Sequence, residues 1–140
     1  MRRLTLSGLA LLTILVLLAG CDSLRTVRGT GDIGSEVHEV SDFSAVHLAG
    51  MGNVVVDFGE KEALRIEAEE NLLPYLESEV EGDTLILSIR ESVNIIPTHG
   101  IFYYLTVSDL NGIGVSGLGN IDTPRLEGTQ VTINVNGGGE

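Results

Sequence analysis

Apolar residues occupy every second position in several short segments of the chain. This period of two is typical of β-strands that bury one face and expose the other. The segments are residues 46–48, 54–58, 64–68, 101–107 and 131–135. The chain has no long segment with helical periodicity, so the pattern predicts an all-β fold.

A glycine motif interrupts this alternation four times. Each copy reads apolar, any residue, glycine, any residue, glycine, and then Asn, Asp or Glu. The copies begin at Val27, Leu48, Val115 and Val135, so that successive starts are 21, 67 and 20 residues apart. A repeat of about 20 residues indicates stacked short strands, and we predict a β-helix or solenoid-like fold with the glycines at its corners. The corner glycines are Gly29, Gly31, Gly50, Gly52, Gly117, Gly119, Gly137 and Gly139.

One segment between the strands breaks the β pattern. Asn71 is a favourable N-cap residue, and Pro74 falls within the first turn, where its missing N–H does no harm. We therefore predict one short helix near residues 71–77. Farther along, Gly82 and Asp83 separate two strand-like segments, and a two-residue connection with glycine first is typical of a β-hairpin.

The first twenty residues have the pattern of an export signal. Two arginines follow Met1, residues 9–18 are apolar apart from Thr13, and small residues precede Cys21. This order is typical of a signal peptide, and the apolar run is too short to span a bilayer comfortably. We therefore divide the chain into a signal peptide (1–20), a linker (21–26) and a β domain (27–140).

The tetrapeptide Leu18-Ala19-Gly20-Cys21 resembles the lipobox of bacterial lipoproteins. The resemblance implies cleavage before Cys21 and acyl chains, palmitate among them, on that residue. The protein would then be exported and anchored by lipid to a membrane of the cell envelope. The alternative is an ordinary signal peptide that leaves Cys21 as a free thiol. Cys21 is the only cysteine, so no intramolecular disulfide can form.

The charge balance narrows the choice of partner. The chain has 20 acidic and 8 basic residues, a formal net charge of −12. Loss of the signal peptide removes Arg2 and Arg3 and makes the mature chain more acidic still. Such a balance excludes nucleic acid and disfavours anionic lipid as a binding partner.

Sequence motifs for cofactor binding and catalysis occur here without the flanking elements or the spacing that they require. Residues 29–34 and 112–117 both match G-x-G-x-x-G, but neither opens a helix after a strand, so we interpret them as corners. Calcium-binding β-roll repeats need aspartate at fixed positions of tandem nonapeptides, a spacing the chain lacks. His38, His47 and His99 have no second ligand at metal-binding spacing. We predict no cofactor, no metal site and no enzymatic activity.

Two groups of side chains are candidates for ligand binding. Phe102 and Tyr104 fall on the strand face opposite the core, where they either stack on a sugar ring or are covered by a loop or helix. Glu77, Glu79 and Glu81 alternate along one strand face. They either bridge a divalent cation or form a solvated acidic face that keeps a strand edge from pairing, and we favour the second interpretation.

Several segments together resemble the bacterial family described as "putative auto-transporter adhesin, head GIN domain". The likeness rests on the Gly-x-Gly-Asn/Asp motifs, on residues 40–46 (VSDFSAV), and above all on residues 69–76 (EENLLPYL) and 79–85 (EVEGDTL). The resemblance implies a β-helix-like fold of stacked short strands and no known enzymatic activity. Family members usually continue through further glycine-cornered repeats, so it also implies that this chain is truncated at its C-terminus.

These features predict a lipid-anchored envelope protein whose β-solenoid surface binds a surface glycan or a protein without catalysis. One alternative is a structural protein that self-associates through exposed β edges. The other is an enzyme acting on acidic polysaccharide, which the scarcity of Arg and Lys disfavours.

Overall fold

Short β-strands and one 3₁₀ turn make up the regular structure of the described residues. The computed structural model describes residues 24–124 and 132–135. The predicted signal peptide, Cys21, Gly137 and Gly139 lie outside the described residues. The strands are β1 (Arg25–Arg28), β2 (Ile33–His38), β3 (Ala45–Leu48), β4 (Met51–Phe58), β5 (Ala63–Glu69), β6 (Leu76–Glu81), β7 (Thr84–Ile89), β8 (Val93–Ile96), β9 (Phe102–Val107), β10 (Gly112–Val115), β11 (Leu118–Asp122) and β12 (Thr132–Val135).

The described strands form two open five-stranded sheets and one separate pair. The first sheet has the order β12-β10-β3-β7-β6, and the second has the order β11-β4-β9-β5-β2. Strands β1 and β8 pair with each other in parallel. The all-β prediction is confirmed, and the described residues include no helix long and apolar enough to cross a membrane.

Parallel pairs outnumber antiparallel pairs over the two sheets together, five to three. In the first sheet β7, β3, β10 and β12 form one parallel stack, and in the second sheet β9, β4 and β11 form another. Val115 pairs with Leu48, and Val135 pairs with Val115, so two parallel registers reproduce the 67- and 20-residue intervals of the glycine motif. The stacking does not follow chain order, because β3 lies between β7 and β10.

Two of the glycine motifs meet directly. In the β4–β11 pair, Gly119 lies opposite Gly52, with φ values of 155° and 135°. A Cβ on Gly119 would overlap the carbonyl oxygen of Gly52, and a Cβ on Gly117 would overlap that of Gly50. Glycine is required here because the two backbones approach too closely for any side chain.

The first glycine motif occupies a different place. Val27 pairs with Ile95 of β8, so the 21-residue interval between the first two motifs is not a strand register. The backbone N–H of Gly31 instead donates a hydrogen bond of 2.8 Å to the Glu69 carboxylate. The first glycine motif therefore binds the Glu69 side chain and does not pair with the second motif.

The short helix predicted near residues 71–77 is a single 3₁₀ turn, Leu73–Tyr75. Asn71 does not cap it, because its side chain is committed to the first glycine loop, and the chain is extended again at Leu76. The predicted position of the helical turn and of Pro74 in it is confirmed, but the cap predicted at Asn71 was wrong because long-range contacts of Asn71 outweigh its local capping preference. The predicted hairpin at Gly82 and Asp83 is confirmed by the antiparallel pairing of β6 with β7.

The core is formed by the inward-facing side chains of both sheets. Tyr103 lies fully buried in β9, and its hydroxyl donates to the Met51 carbonyl oxygen at 3.3 Å. Burial raises the pKa of this phenol well above its usual range. The apolar alternation predicted for β9 is confirmed, since Ile101, Leu105 and Val107 are buried with Tyr103.

Replacement of Gly119 by asparagine is expected to destabilise the protein by about 1–3 kcal/mol, the usual cost of overpacking. The physical reason is the overlap of the new Cβ with the Gly52 carbonyl oxygen. The matched control is Gly82→Asn, because Gly82 has a φ of 65°, nothing within 4 Å of a Cβ, and a conformation that asparagine tolerates. Urea unfolding measures both variants, and equal losses of stability would contradict the close approach.

Candidate functional site

The outer face of the second sheet concentrates exposed apolar side chains. We define it as the residues that alternate with core residues on β11, β4, β9, β5 and β2. It carries four of the six large apolar residues that are exposed in the described part of the chain. They are Ile33 (47% exposed), Val37 (71%), Val55 (38%) and Leu118 (54%). Apolar residues exposed singly are common on protein surfaces. The feature that distinguishes this face is Val55 lying opposite Tyr104 on the neighbouring strand, beside Phe102.

An aromatic pair lies at the middle of this outer face. Phe102 and Tyr104 are half-buried on β9, with ring centroids 6.3 Å apart and ring planes at 22°. The Arg65 guanidinium lies 4.2 Å from the Tyr104 ring centroid and pairs with Glu67 at 2.9 Å. Both rings are therefore partly accessible, and the Arg65 guanidinium already lies over the Tyr104 ring.

Polar side chains adjoin the aromatic pair. Asn53 lies opposite Phe102 on the neighbouring strand, and Asn120 lies opposite Asn53 on the next. The Asn120 amide donates to the Asn53 side-chain oxygen at 3.3 Å. One amide oxygen and one amide NH₂ group of this pair therefore remain available to a ligand. Aromatic rings beside amides suit a molecule that offers both C–H faces and hydroxyl groups.

The three glutamates predicted as a second binding group lie on the other sheet. Glu77, Glu79 and Glu81 are all exposed on β6, the edge strand of the first sheet. Glu77 pairs with Arg90 at 3.0 Å. The structure does not bring these glutamates together with Phe102 and Tyr104. Within the described residues, no cluster of three His, Cys, Asp or Glu side chains is arranged to hold a metal ion.

Glu69 is a buried carboxylate that the sequence pattern did not reveal. It is 1% exposed, and it is the one charged residue in the buried set of the described chain. Its oxygens accept hydrogen bonds from the Thr98 hydroxyl (2.6 Å), the Thr98 N–H (2.8 Å), the Gly31 N–H (2.8 Å) and the His99 N–H (3.4 Å). The Thr98 hydroxyl, supported by these backbone donors, outweighs burial and lowers the Glu69 pKa from 4.5 to about 2.

Glu70 and Asn71, which follow Glu69, form hydrogen bonds with the loop of the first glycine motif, residues 28–32. The Glu70 N–H donates to the Asp32 carbonyl at 2.8 Å. The Asn71 amide donates to the Arg28 carbonyl at 2.8 Å and accepts from the Thr30 N–H at 3.1 Å. We call residues 69–71 the loop clamp. The strand alternation of β5 places Glu69 on the outward side with Glu67, so its burial depends entirely on loops that fold over it from elsewhere in the chain.

A histidine and a serine on the first sheet form a further polar pair. His47 Nε2 lies 2.8 Å from Ser116 Oγ, and Gly114 leaves room for the imidazole because a Cβ there would crowd it. Among the described residues, no carboxylate lies within ion-pair distance of His47. The pair therefore lacks the third group that orients a catalytic histidine.

A groove adjoins the outer face at the end of β2. Its volume is about 540 Å³, and its walls come from residues 37–41 and 61–63. Val37 is shared by the groove and the outer face. The outer face is therefore concave at this margin.

Comparison with known families identifies the fold. The family described as "Putative auto-transporter adhesin, head GIN domain" matches residues 42–140. The chain belongs to this family. The head GIN resemblance drawn from the sequence is thus confirmed. No curated protein matches the chain.

Three solved structures share the head GIN fold of this chain. A putative adhesin from Bacteroides fragilis NCTC 9343 is 22% identical, with a TM-score of 0.70 over 79% of this chain and 53% of that protein. A putative adhesin from Parabacteroides merdae ATCC 43184 is 22% identical, with a TM-score of 0.67 over 79% and 47%. A protein from Parabacteroides distasonis ATCC 8503 described as a "putative lipid binding protein" is 23% identical, with a TM-score of 0.62 over 79% and 49%. The chain thus spans about half the length of each of these proteins.

The lowered pKa of Glu69 predicts a specific pH dependence of stability. A carboxylate whose folded pKa is below its unfolded value stabilises the fold above pH 4.5, and that stabilisation is lost as the pH falls toward 2. The stability difference between the wild type and Glu69→Gln is therefore expected to shrink across this window. Urea unfolding at several pH values measures it. The control is Glu67→Gln, at a half-buried position where no buried carboxylate is removed. A stability difference for Glu69→Gln that stays constant with pH would contradict the lowered pKa of Glu69.

Proposed function

We propose that the chain is a lipid-anchored protein of the bacterial cell envelope whose head GIN domain binds a surface ligand without catalysing a reaction. The observation that carries the proposal is the outer face of the second sheet, with its exposed apolar residues and aromatic pair. Family membership supports an adhesion-type role, as do the adhesin descriptions of two of the solved relatives. The incomplete His47–Ser116 pair gives no support to an enzyme.

The anchor in this proposal is acylation of Cys21. Its support is the order of charged start, apolar run and Leu-Ala-Gly-Cys tetrapeptide in residues 1–21. Two or more acyl chains on one residue would give stable attachment, since a single chain binds a membrane only marginally. The same proposal places the protein outside the cytoplasm, on a membrane of the envelope.

The proposed arrangement of the strands is a β-solenoid-like stack. Its support is the parallel pairing of β10 with β12 at a spacing of 20 residues and the alignment of Gly52 with Gly119. Further repeats on the same plan would lengthen both parallel stacks. A solenoid wall of this kind offers an extended surface for contact and needs no enclosed pocket.

The ligand that the outer face fits best is a neutral glycan. Phe102 and Tyr104 offer ring surfaces to a sugar, while the Asn53 and Asn120 amides offer hydrogen bonds to hydroxyl groups. The net charge of −12 opposes an anionic polysaccharide.

A second candidate function is self-association through strand edges. Strand β2 is the outer strand of the described second sheet, and its side chains Ile33 and Val37 are exposed. Strand β6, at the corresponding edge of the first sheet, is protected by three glutamates. Sedimentation at high protein concentration decides this alternative, and a strict monomer would remove it.

Loss of the aromatic rings is expected to weaken glycan binding. Phe102→Leu with Tyr104→Leu keeps apolar bulk on β9 but removes both ring faces, and each aromatic contact is worth about 0.5–1.5 kcal/mol. The double variant loses about 1–3 kcal/mol of binding free energy and is therefore expected to bind roughly fivefold or more weakly on an array of neutral envelope glycans.

The control for this experiment is Glu79→Gln, which lies on the other sheet and should bind as the wild type does. Glycan binding that is lost in Glu79→Gln but kept in the double variant would show that the ligand contacts the first sheet, and would contradict binding at the outer face of the second. Absence of any binding across broad glycan and envelope-protein sets would contradict the proposed function itself.

A further inference from the structure

We propose that the outer face of the second sheet binds an extended, unbranched neutral glycan that runs across the strands, with one sugar unit on each strand. This inference rests on the proposed glycan-binding function and deepens it by naming the shape and the direction of the ligand. The residues that hold the glycan are Glu67 on β5, Phe102 on β9, Asn53 on β4 and Asn120 on β11, which we call the cross-strand row.

The strand registers place these four residues in one line. Glu67 lies opposite Phe102, Phe102 lies opposite Asn53, and Asn53 lies opposite Asn120. Neighbouring strands are about 4.8 Å apart, so the cross-strand row is about 14 Å long. A pyranose unit with its linkage has nearly the length of one strand spacing. Successive sugars of an extended glycan therefore face successive residues of the row.

The glycine motif supplies two members of the row. Its polar position is asparagine in both copies that lie against each other, since Asn53 follows Gly52 and Asn120 follows Gly119. The Asn120 amide donates to the Asn53 side-chain oxygen at 3.3 Å. The Asn53 NH₂ group can then donate to a sugar hydroxyl, and the Asn120 side-chain oxygen can accept from one on the next sugar. The motif thus repeats a hydrogen-bonding group at the spacing of the strands.

The ring that a sugar can cover is Phe102. A Cβ at Gly100 would lie 2.7 Å from this ring, so the missing side chain at Gly100 makes room for it. Tyr104 lies two residues farther along β9, but the Arg65 guanidinium is 4.2 Å from the Tyr104 ring centroid. A glycan that followed β9 from Phe102 would meet this guanidinium. A glycan that crosses the strands from Phe102 meets the amides of Asn53 and Asn120 instead.

The charges around the row favour a neutral glycan. The Glu67 carboxylate is balanced by the Arg65 guanidinium at 2.9 Å, and its second oxygen can accept from a sugar hydroxyl. Asp57 on β4 and Asp122 on β11 are exposed on the same outer face. An anionic polymer in the row would lie beside these two carboxylates and be repelled by them.

The dependence of affinity on glycan length tests the inference without any variant. The probes are neutral cello-, chito- and manno-oligosaccharides, each as disaccharide and tetrasaccharide, titrated into the full chain by isothermal calorimetry. One further hydrogen bond raises affinity roughly two- to tenfold, so a tetrasaccharide that gains two contacts is expected to bind about fourfold or more tightly than the disaccharide. Equal affinities for the two lengths in every series that binds would overturn the inference.

Two variants decide the direction of the glycan. Asn120→Ala removes the end of the row, about 10 Å from Phe102 across the strands, and Thr106→Ala removes a polar group about 13 Å from Phe102 along β9. Asn120→Ala is expected to weaken the tetrasaccharide roughly two- to tenfold and to leave the disaccharide unchanged, because the disaccharide binds at the ring. Thr106→Ala is the matched control and should leave both unchanged.

The opposite pattern, with the tetrasaccharide weakened by Thr106→Ala and not by Asn120→Ala, would show that the glycan follows β9 and would overturn the inference. An equal loss for both lengths in Asn120→Ala would also overturn it, because a merely structural role of Asn120 affects every ligand alike.

The double variant Phe102→Leu with Tyr104→Leu separates failure of this inference from failure of the proposed function. If it binds the oligosaccharides as the wild type does, the outer face is not the glycan site and both fail. If the rings are needed but glycan length has no effect, the direction alone fails and the proposed function stands. If no oligosaccharide of the three series binds while an array of envelope glycans detects a ligand that needs the rings, the extended glycan fails and the proposed function again stands.

Discussion

The close backbone approach of Gly52 and Gly119 is the constraint on which the rest of this structure depends. No side chain can stand between β4 and β11 at this point, since a Cβ on Gly119 would overlap the Gly52 carbonyl oxygen. The contact fixes the register of β11 on β4, and the preceding strands β10 and β3 pair with the same 67-residue offset. One register therefore sets which side chains of both sheets enter the core and which form the outer face.

The sequence was informative where the determining interactions are local. Alternation along β5 and β9 predicts the buried faces correctly, as at Ile66 and Tyr103, and Gly82 with Asp83 predicts the hairpin between β6 and β7. The 67- and 20-residue intervals predict real strand registers. The order of the strands was not accessible in this way, because the insertion of β3 between β7 and β10 depends on contacts between distant parts of the chain.

The errors have one cause, which is that long-range contacts replaced local preferences. Asn71 looks like a helix cap, but its amide binds Arg28 and Thr30, more than forty residues earlier. Glu69 falls on the outward side of β5 by its alternation, but it is buried under loops that carry Gly31 and Thr98. The first glycine motif resembles the other copies in sequence, yet it serves to donate an N–H to this carboxylate. Of the candidate site, Phe102 and Tyr104 lie on the predicted face, whereas the exposed apolar residues around them come from strands whose adjacency the sequence did not reveal.

Residues 69–71 hold the loop of the first glycine motif to the body of the domain. The outer face of the second sheet takes no part in these contacts. The most direct measurement of the central register is disulfide formation in the Cys21→Ser background. Asn53→Cys with Asn120→Cys joins positions that lie directly opposite each other, about 4.8 Å apart, and should form a disulfide readily. Asn53→Cys with Asp122→Cys joins positions about 8 Å apart on the same face and should not. A disulfide in the second pair but not in the first would contradict the glycine-defined register and the account built on it.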